Sequence, residues 1–413
     1  MPAVTPREFA LQVVAQLRDA GHVALWAGGC VRDQLLAREP KDYDVATSAR
    51  PEQVREVFGK RRTLAIGASF GVIGVLGPRG QAPLEVATFR TDGDYRDGRR
   101  PESVAFTDAE HDAQRRDFTI NGLFYDPVDE RVVDYVNGQD DLAARIVRAI
   151  GDPRRRFTED KLRLLRAVRF AAEFEFAIEP RTLAAIREMA PQINVVSGER
   201  IGAELRKILA GPRRALGVQL LRETELLEPL WPELAPALAD DAARAAVLDR
   251  LAALRLPSAP AAAALASLGV VDGGAMRAIS RRWKWTNKEG QLAAWLADQL
   301  RRLRDDPALP WPALQRLLID ERAGELQIAV IAMLGEQHPL VERIAEALAL
   351  PAEQLNPPPL LTGHDIRNAG LRPGHRFAAL LEHLRDEQLL GRVTTPDEAL
   401  AAARAWIERH ASR

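Results

Sequence analysis

At 413 residues the chain is too long for one ordinary hydrophobic core, so about two to four domains are expected. Its makeup is globular, 46% hydrophobic and 28% charged, which excludes a disordered or fibrous chain. A net charge of −1 excludes a polyanion partner chosen by bulk charge alone, although arginines cluster locally at Arg61-Arg62, Arg99-Arg100, Arg115-Arg116 and Arg154-Arg155-Arg156. The one cysteine, Cys30, rules out an intrachain disulfide and fits a reducing cytoplasm. Met1 to Ala10 lacks the basic start and apolar core of a signal peptide, and no run is long enough to span a bilayer.

Arg7 to Ala20 carries Phe9, Val13, Val14 and Leu17 at the spacing of an amphipathic helix. Val23, Leu25 and Ala27 read as a buried strand, and Gly28-Gly29 removes side chains where the backbone must turn sharply. A short helix follows, with Leu35 and Leu36 expected on its apolar face. Its N-terminus offers unpaired N–H groups to phosphate, and Arg32 in the first turn can fork onto phosphate oxygens. Lys41-Asp42-Tyr43-Asp44-Val45 reads as the next strand. Alternate residues of a strand share a face, so Asp42 and Asp44 should project together beside the glycine turn. Two neighbouring carboxylates repel, and a site that keeps both ionised usually holds a cation. Mg²⁺ is bound through one or two carboxylates plus substrate phosphates. Either feature alone would read as an ordinary turn or as solvated acids. In this order, with Arg32-Asp33 between them, they point to a phosphate cradle beside a Mg²⁺ site.

Pro51 to Phe58 reads as a helix with proline at its start. Leu64-Ala65-Ile66 and Val72 to Leu76 read as paired strands, and Leu84 to Phe89 as another. Glu85 is costly inside an apolar strand unless partnered, so it is either a third carboxylate facing Asp42 and Asp44 or a solvent position on an edge. Asp92 to Val104, rich in Gly, Asp and Arg, reads as a loop able to close over substrate or as a plain hairpin loop. In Arg115 to Gly122, Arg116 is a candidate triphosphate ligand, and Asp117 either orients it or caps the next helix. Val132 to Tyr135 reads as a closing strand and Asp141 as the start of a helix, so the strand-bearing head should end near residue 150.

After Gly151-Asp152-Pro153 the pattern turns helical. Thr158 to Phe170 is expected as one helix with Thr158 as N-cap. Asp160, Arg163, Arg166 and Arg169 then form a slanted row with one acid among three arginines, which leaves positive charge for an anionic ligand. Ser197 to Leu209 is a further helix with Gly198-Glu199-Arg200 before an apolar face of Ile201, Leu205, Ile208 and Leu209. Trp283-Lys284-Trp285 reads as a core anchor rather than a stacking platform, and Asn356 to Pro359 as a stiff connector. His111-Asp112 and His364-Asp365 raise a metal phosphohydrolase, but the seven histidines are scattered along the chain and both pairs read as helix-terminal or surface residues.

GGCVRD with KDYDVAT, then EVATFR, RRDFTINGL and EDKLRLLRAVRF, in that order, resemble the class II, bacterial-type CCA tRNA nucleotidyltransferase and poly(A) polymerase family. The resemblance implies an α+β fold: a polymerase-β-like nucleotidyltransferase head with a mixed sheet, followed by all-α neck, body and tail. The expected domains are 1–150 (head), 151–210 (neck), 211–355 (body) and 356–413 (tail). It implies that Asp42 and Asp44 hold two Mg²⁺ ions with Glu85 as third acid. The RNA 3′-hydroxyl then attacks the α-phosphate of CTP or ATP. Gly28, Gly29, Arg32 and Arg116 match positions that bind the nucleotide, and Asp160, Arg163, Arg166 and Arg169 match the neck motif that recognises it. A carboxylate accepts from the exocyclic amine of cytosine or adenine while a neighbouring guanidinium donates to the ring nitrogen beside it; uracil and guanine present a carbonyl there instead. The tail, LLTGHDIRN onward, is similar to that of CCA-adding members and lacks a long basic extension. Gly122 replaces the usual alanine, and Pro373-Gly374-His375 the usual PGP. CCA addition to tRNA is therefore expected, with contacts to the acceptor and T arms, no membrane partner and an undetermined oligomeric state. The alternatives are a poly(A) polymerase, a CC- or A-adding enzyme, and a non-catalytic RNA-binding protein, which would not require the three acids.

Overall fold

Thr5 opens helix α1 (Pro6–Asp19) through a reciprocal capping box: its hydroxyl accepts from the Glu8 N–H, and the Glu8 carboxylate accepts from the Thr5 N–H. The expected apolar residues Phe9, Val13, Val14 and Leu17 are all buried. The computed structural model describes residues 4–67, 70–78, 80–93, 104–368 and 377–411. Most of the 92–104 loop, and Pro373-Gly374-His375, lie outside them.

In chain order follow β1 (Ala24–Ala27), α2 (Gly29–Leu35), β2 (Asp44–Thr47), α3 (Pro51–Phe58), β3 (Thr63–Gly67), β4 (Val72–Val75), β5 (Leu84–Thr88), β6 (Arg90–Asp92), β7 (Val104–Phe106), α4 (Ala109–Gln114), β8 (Phe124–Asp126), β9 (Arg131–Val133) and α5 (Gly138–Ala144). Seven strands make one mixed sheet in the order β3-β4-β5-β2-β1-β8-β9, in which β2 and β5 run parallel and the other neighbours antiparallel. β1 is buried along its whole length, hence the unbroken apolar run Ala24-Leu25-Trp26-Ala27; Val23 precedes the strand and is exposed. Leu25, Ala27, Ala46, Phe89 and Phe124 form one core cluster with Ala109 and Ala113 of α4. β6 and β7 pair antiparallel at the two ends of the 92–104 loop.

Three local expectations are corrected. In α2 the buried side chains are Cys30, Val31 and Arg32, while Leu35 is exposed, because the first turn of this short helix, rather than its last, lies against the protein. Asp42 precedes β2 and is not part of it, so it does not alternate with Asp44 on a strand. The segment 158–170 is two helices, α6 (Pro153–Glu159) and α7 (Leu162–Phe174). Asp152 caps α6 in place of Thr158, whose hydroxyl donates to the Arg154 carbonyl within the helix. At Asp160 the backbone is extended (φ −148°, ψ 105°), and its carboxylate accepts from the Leu162 N–H at 3.0 Å, restarting the helix. Strand structure also continues past 153: β10 (Ile146–Val147) pairs in parallel with β11 (Ala177–Ile178).

Helices α9 (Gly198–Ala210) and α10 (Arg214–Glu223) pack on α7 and on each other, and α8 (Pro180–Met189) packs on α6. In α9, Ile201, Leu205, Ile208 and Leu209 are buried as the pattern predicts. Two compact units emerge: Met1–Leu248 with Arg281–Trp285, and Asp249–Ser280 with Thr286–Arg413. The first includes a returning thread. A Cβ on Gly202 would overlap the Trp283 carbonyl oxygen, and one on Gly198 the Arg282 carbonyl oxygen, so only glycine lets α9 lie so close. Trp283 is buried edge-on to Trp231, 4.9 Å between ring centroids, and donates from Nε1 to the Leu230 carbonyl; Trp285 donates to the Gly202 carbonyl. The tryptophan pair is thus a core anchor.

Among its described residues the second unit has helices and connecting loops but no strand. Its Ala259–Ala266 helix is wholly buried, which explains its near-continuous alanine, and packs on helices Asn287–Asp305 and Ala323–Leu334. Toward the end of the chain Leu361, Ile366, Leu380, Leu384 and Val393 form a separate cluster, and Arg385 pins the proline-rich stretch by donating to Asn356 Oδ1 and the Pro357 carbonyl.

Candidate active site

The parallel pairing of β2 with β5 sets Asp44 directly opposite Glu85. Residues in register on adjacent strands sit close enough for their charges to interact strongly. Asp44 keeps part of its surface in water, yet protein crowds its carboxyl. Burial first, then the negative charges of Glu85 and Asp42, push it up to about 6, while Arg116 pulls it down. Asp42, although off the strand, is therefore within electrostatic reach. Of the three acids, Asp44 is the one paired in register with Glu85 and the one that feels the charge of both others. Among the described residues no three Asp, Glu, His or Cys side chains close into a ready-made metal cage. Cys30 lies buried behind Asp44; burial pushes its thiol up to about 11.

Gly28 turns the chain from β1 into α2 with φ +73°, a conformation that L side chains avoid, and a Cβ there would come 3.0 Å from Arg116 Nη1. Glycine therefore brings that guanidinium down onto the turn. Arg116 is held by Asp112, which accepts from its Nε and Nη2 with Oδ2 and from Arg115 with Oδ1. Asp117 does neither of the things expected of it toward Arg116. It accepts from the Phe118 N–H and from Asn121 Nδ2 with Oδ1, and from Arg166 with Oδ2. Burial works to raise its carboxyl, but the Arg166 charge, hydrogen bonds from Arg166 and Asn121, and the Arg163 charge outweigh it and hold the group at about 2. Arg32 is buried, donates to Asp33 Oδ1 and to Asn121 Oδ1, and lies over the Phe174 and Phe170 rings at 4.5 and 5.3 Å.

The arginine row carries less free charge than its own segment suggests. Arg163 donates to Glu159 at 2.6 Å and to the Arg156 and Arg115 carbonyls. Arg166 pairs with Asp117, and Arg169 with Glu204 and Glu173. Glu159 and Glu173 are neighbours at i,i+4 while Asp117 and Glu204 come from elsewhere in the chain, so the row by itself overstated the excess. Asp160 pairs not with Arg163 but with Arg200 of α9, in a two-bond fork of 2.6 and 3.1 Å.

A cavity of about 400 Å³ joins most of these groups: Gly28, Gly29, Arg32, Asp44, Arg116, Asp160, Arg163 and Arg166 line it, together with Asp117 and Arg200. Arg169 and Asp42 line an adjacent cavity of about 560 Å³ that shares Arg32, and Glu85 stands beside Asp44 without lining either. A larger cavity, about 740 Å³, shares Arg115 but touches none of the predicted site residues. One concavity thus has the Asp44 carboxylate in its wall, guanidinium groups and a glycine turn around it, and Asp160 with Arg200 lining it as well. It suits a polyphosphate whose far end is read by hydrogen bonding. Sequence reading missed Asp112, Glu159, Glu204 and Arg200. The spacings Asp112–Arg115–Arg116 and Glu159–Arg163 carry an i,i+3 and i,i+4 signal, and Glu204 is an acid on an apolar helix face. Nothing local marks Arg200.

Two family models match the chain: "Poly A polymerase head domain" over residues 24–148 and "Probable RNA and SrmB- binding site of polymerase A" over 175–238. The CCA-adding enzyme of Levilactobacillus brevis is 33% identical over 405 residues, 96% of this chain and 98% of that protein. That of Enterococcus faecalis is 34% identical over 406 residues, 96% and 95% of the two chains. Among solved structures, the Bacillus stearothermophilus CCA-adding enzyme in complex with CTP superposes with TM-score 0.79 at 31% identity, covering 99% of each chain.

Proposed function

This chain belongs to the CCA-adding enzyme family, and we propose on that premise that it is a template-independent nucleotidyltransferase completing the 3′ end of tRNA with C, C and A from CTP and ATP. The observation that supports this most is the single cavity in which Asp44, the glycine turn with Arg116, and Asp160 meet. Asp42 and Asp44 would hold two Mg²⁺ ions, with Glu85 as the third acid. The fit rests on Asp44, set opposite Glu85 by the strand register, whose carboxyl is raised by burial first and then by the charges of Glu85 and Asp42, a cost of ionisation that a cation relieves. An incomplete cage suits Mg²⁺, which completes its shell with waters and substrate phosphates. When bound, the ions supply an activated RNA 3′-hydroxyl and neutralise the pyrophosphate leaving group.

The rest is the work of this chain's own side chains. Gly28 and Gly29 let phosphate approach the backbone. Arg116, fixed by Asp112, and Arg32, fixed by Asn121, face the phosphates without the entropy loss of ordering a free side chain. Arg166 and Arg169 hold the base-facing helix to Asp117 and Glu204. Asp160 accepts from the amine of C or A, and Arg163 keeps the α6–α7 corner in place. The head at 1–150 carries the chemistry and the neck at 151–210 the base. The helical remainder, 211–355 and 356–413, holds the acceptor and T arms through backbone phosphates, by shape and charge. No helix among the described residues is long and apolar enough to cross a membrane; a tRNA substrate and a lone buried thiol support a cytoplasmic enzyme.

The test is extension of tRNA lacking its 3′ CCA with CTP, ATP and Mg²⁺, followed by product sequencing. A stop after C-C-A is expected, and Asp44→Ala lowers incorporation about a hundredfold or more. A long A tract would reassign the chain to poly(A) synthesis; full activity in Asp44→Ala would remove the mechanism.

A further inference from the structure

Asp160 accepts from the base amine in the function proposed above, and the role of Arg200 rests on that reading. In the structure that carboxylate is already supplied with donors. Arg200 Nη2 donates to Oδ2 at 2.6 Å and Arg200 Nη1 to Oδ1 at 3.1 Å, while the Leu162 N–H donates to Oδ1 at 3.0 Å. Arg163, the guanidinium expected beside it, is turned instead to Glu159 and to the carbonyls of Arg156 and Arg115. Asp160 and Arg200 both line the cavity that holds Gly28, Asp44 and Arg116, and both side chains are mostly buried, so water and salt screen the pair weakly. Arg200 is also well placed to stay put. It stands in the first turn of α9, whose Gly198 and Gly202 seat against the carbonyls of Arg282 and Trp283.

We propose that Arg200 is a specificity-determining residue: it occupies the carboxylate of Asp160 in the free enzyme, and a nucleotide gains entry only by exchanging a base amine for one of its hydrogen bonds. Cytosine and adenine can make that exchange. Their amine replaces one guanidinium N–H at the carboxylate, and the released arm of the fork donates to the ring nitrogen beside the amine, which is an acceptor in both bases. Uracil and guanine cannot. They set a carbonyl against the carboxylate and a ring N–H against the guanidinium, so the ion pair stays closed against them. An internal competitor of this kind adds to the rejection of the wrong base, because admitting it would leave two buried charged groups unpaired.

Single-nucleotide incorporation of CTP, ATP, UTP and GTP into tRNA, measured as kcat/KM for wild type, Arg200→Ala and Arg200→Lys, tests this. In Arg200→Ala the preference for CTP over UTP, and for ATP over GTP, falls about tenfold. Arg200→Lys recovers part of the preference, as a point charge that cannot fork. A merely structural role would lower kcat for all four nucleotides and leave the ratios unchanged, and unchanged ratios in a variant with a wild-type thermal transition overturn the proposal. If Arg200→Ala loses that transition, the ratios of Arg200→Lys decide by the same criterion. Asp160→Asn separates the two readings. If it keeps wild-type ratios, the base-reading role of Asp160 fails. If it loses them while Arg200→Ala keeps them, only the competitor role of Arg200 fails.

Discussion

Asp117 shows what one buried carboxylate does when its partner is a guanidinium far away in sequence. Its native value of about 2 lies below the roughly 3.9 of an unfolded chain. The ion pair therefore stabilises fully above about pH 4 and is lost as pH falls toward about 2, a contribution of about 2 kcal/mol. Asp117→Asn should lower stability at pH 7 by about that amount and flatten the acid limb. Denaturant midpoints at pH 7 and pH 3 check it: the variant loses about 1 kcal/mol less between them than wild type. Asp44 has the opposite sign. Its carboxyl is raised to about 6, so its ionisation costs stability that is intact below about pH 4 and is lost as pH rises through about 6. Metal-free Asp44→Asn should therefore be more stable than wild type at pH 7, by about 1 kcal/mol after discounting for solvent access, and inactive; a lower melting temperature would contradict the cost that burial and the two neighbouring charges place on its ionisation. Cys30, buried and raised to about 11, should resist thiol reagents at neutral pH until the protein unfolds. At this scale the sequence carries a signal where partners are neighbours, as in the i,i+3 and i,i+4 spacing of Asp112 to Arg115 and Arg116, although that pairing was not among the expectations. It was not legible where partners are remote. Arg166 with Asp117, and Arg200 with Asp160, meet through folding alone.

Elements whose faces follow a clean period were readable in advance. α1 and α9 sit where their apolar spacing places them and α3 where its opening proline does, and the strand runs around Gly74 and Val86 pair as adjacent strands. The break between α6 and α7 was not readable, because Thr158 to Phe170 is rich in good helix formers and has no glycine or proline. What wins is a local competition: Asp160 leaves the helix to cap the next one. The two jobs of this residue can be separated. Asp160→Asn keeps a cap acceptor but loses the charge, whereas Asp160→Ala loses both, so the alanine variant should unfold with about 1 kcal/mol less stability than the asparagine variant. Equal melting curves would show that the cap contributes nothing. The β2–β5 register is the other element-level fact beyond sequence reading. Glu85 had two readings until a parallel neighbour set it opposite Asp44.

For the molecule as a whole, the telling feature is that a segment from beyond residue 280 completes the first compact unit. Segmentation by composition had no access to this, since Trp283 and Trp285 announce burial but not the surface that buries them. The contact is tight: Gly202→Ala places a methyl group on the Trp283 carbonyl and should cost about 3 kcal/mol, read as a lowered thermal midpoint with altered tryptophan emission. The same contact sets a schedule during synthesis. A ribosome that has reached Leu248 has released every strand and every acid of the head, yet the glycine side of α9 still faces water, because its cover has not been translated. A nascent chain arrested at that point should be nicked by protease along α9, and one extended far enough for Trp285 to clear the exit tunnel should be protected.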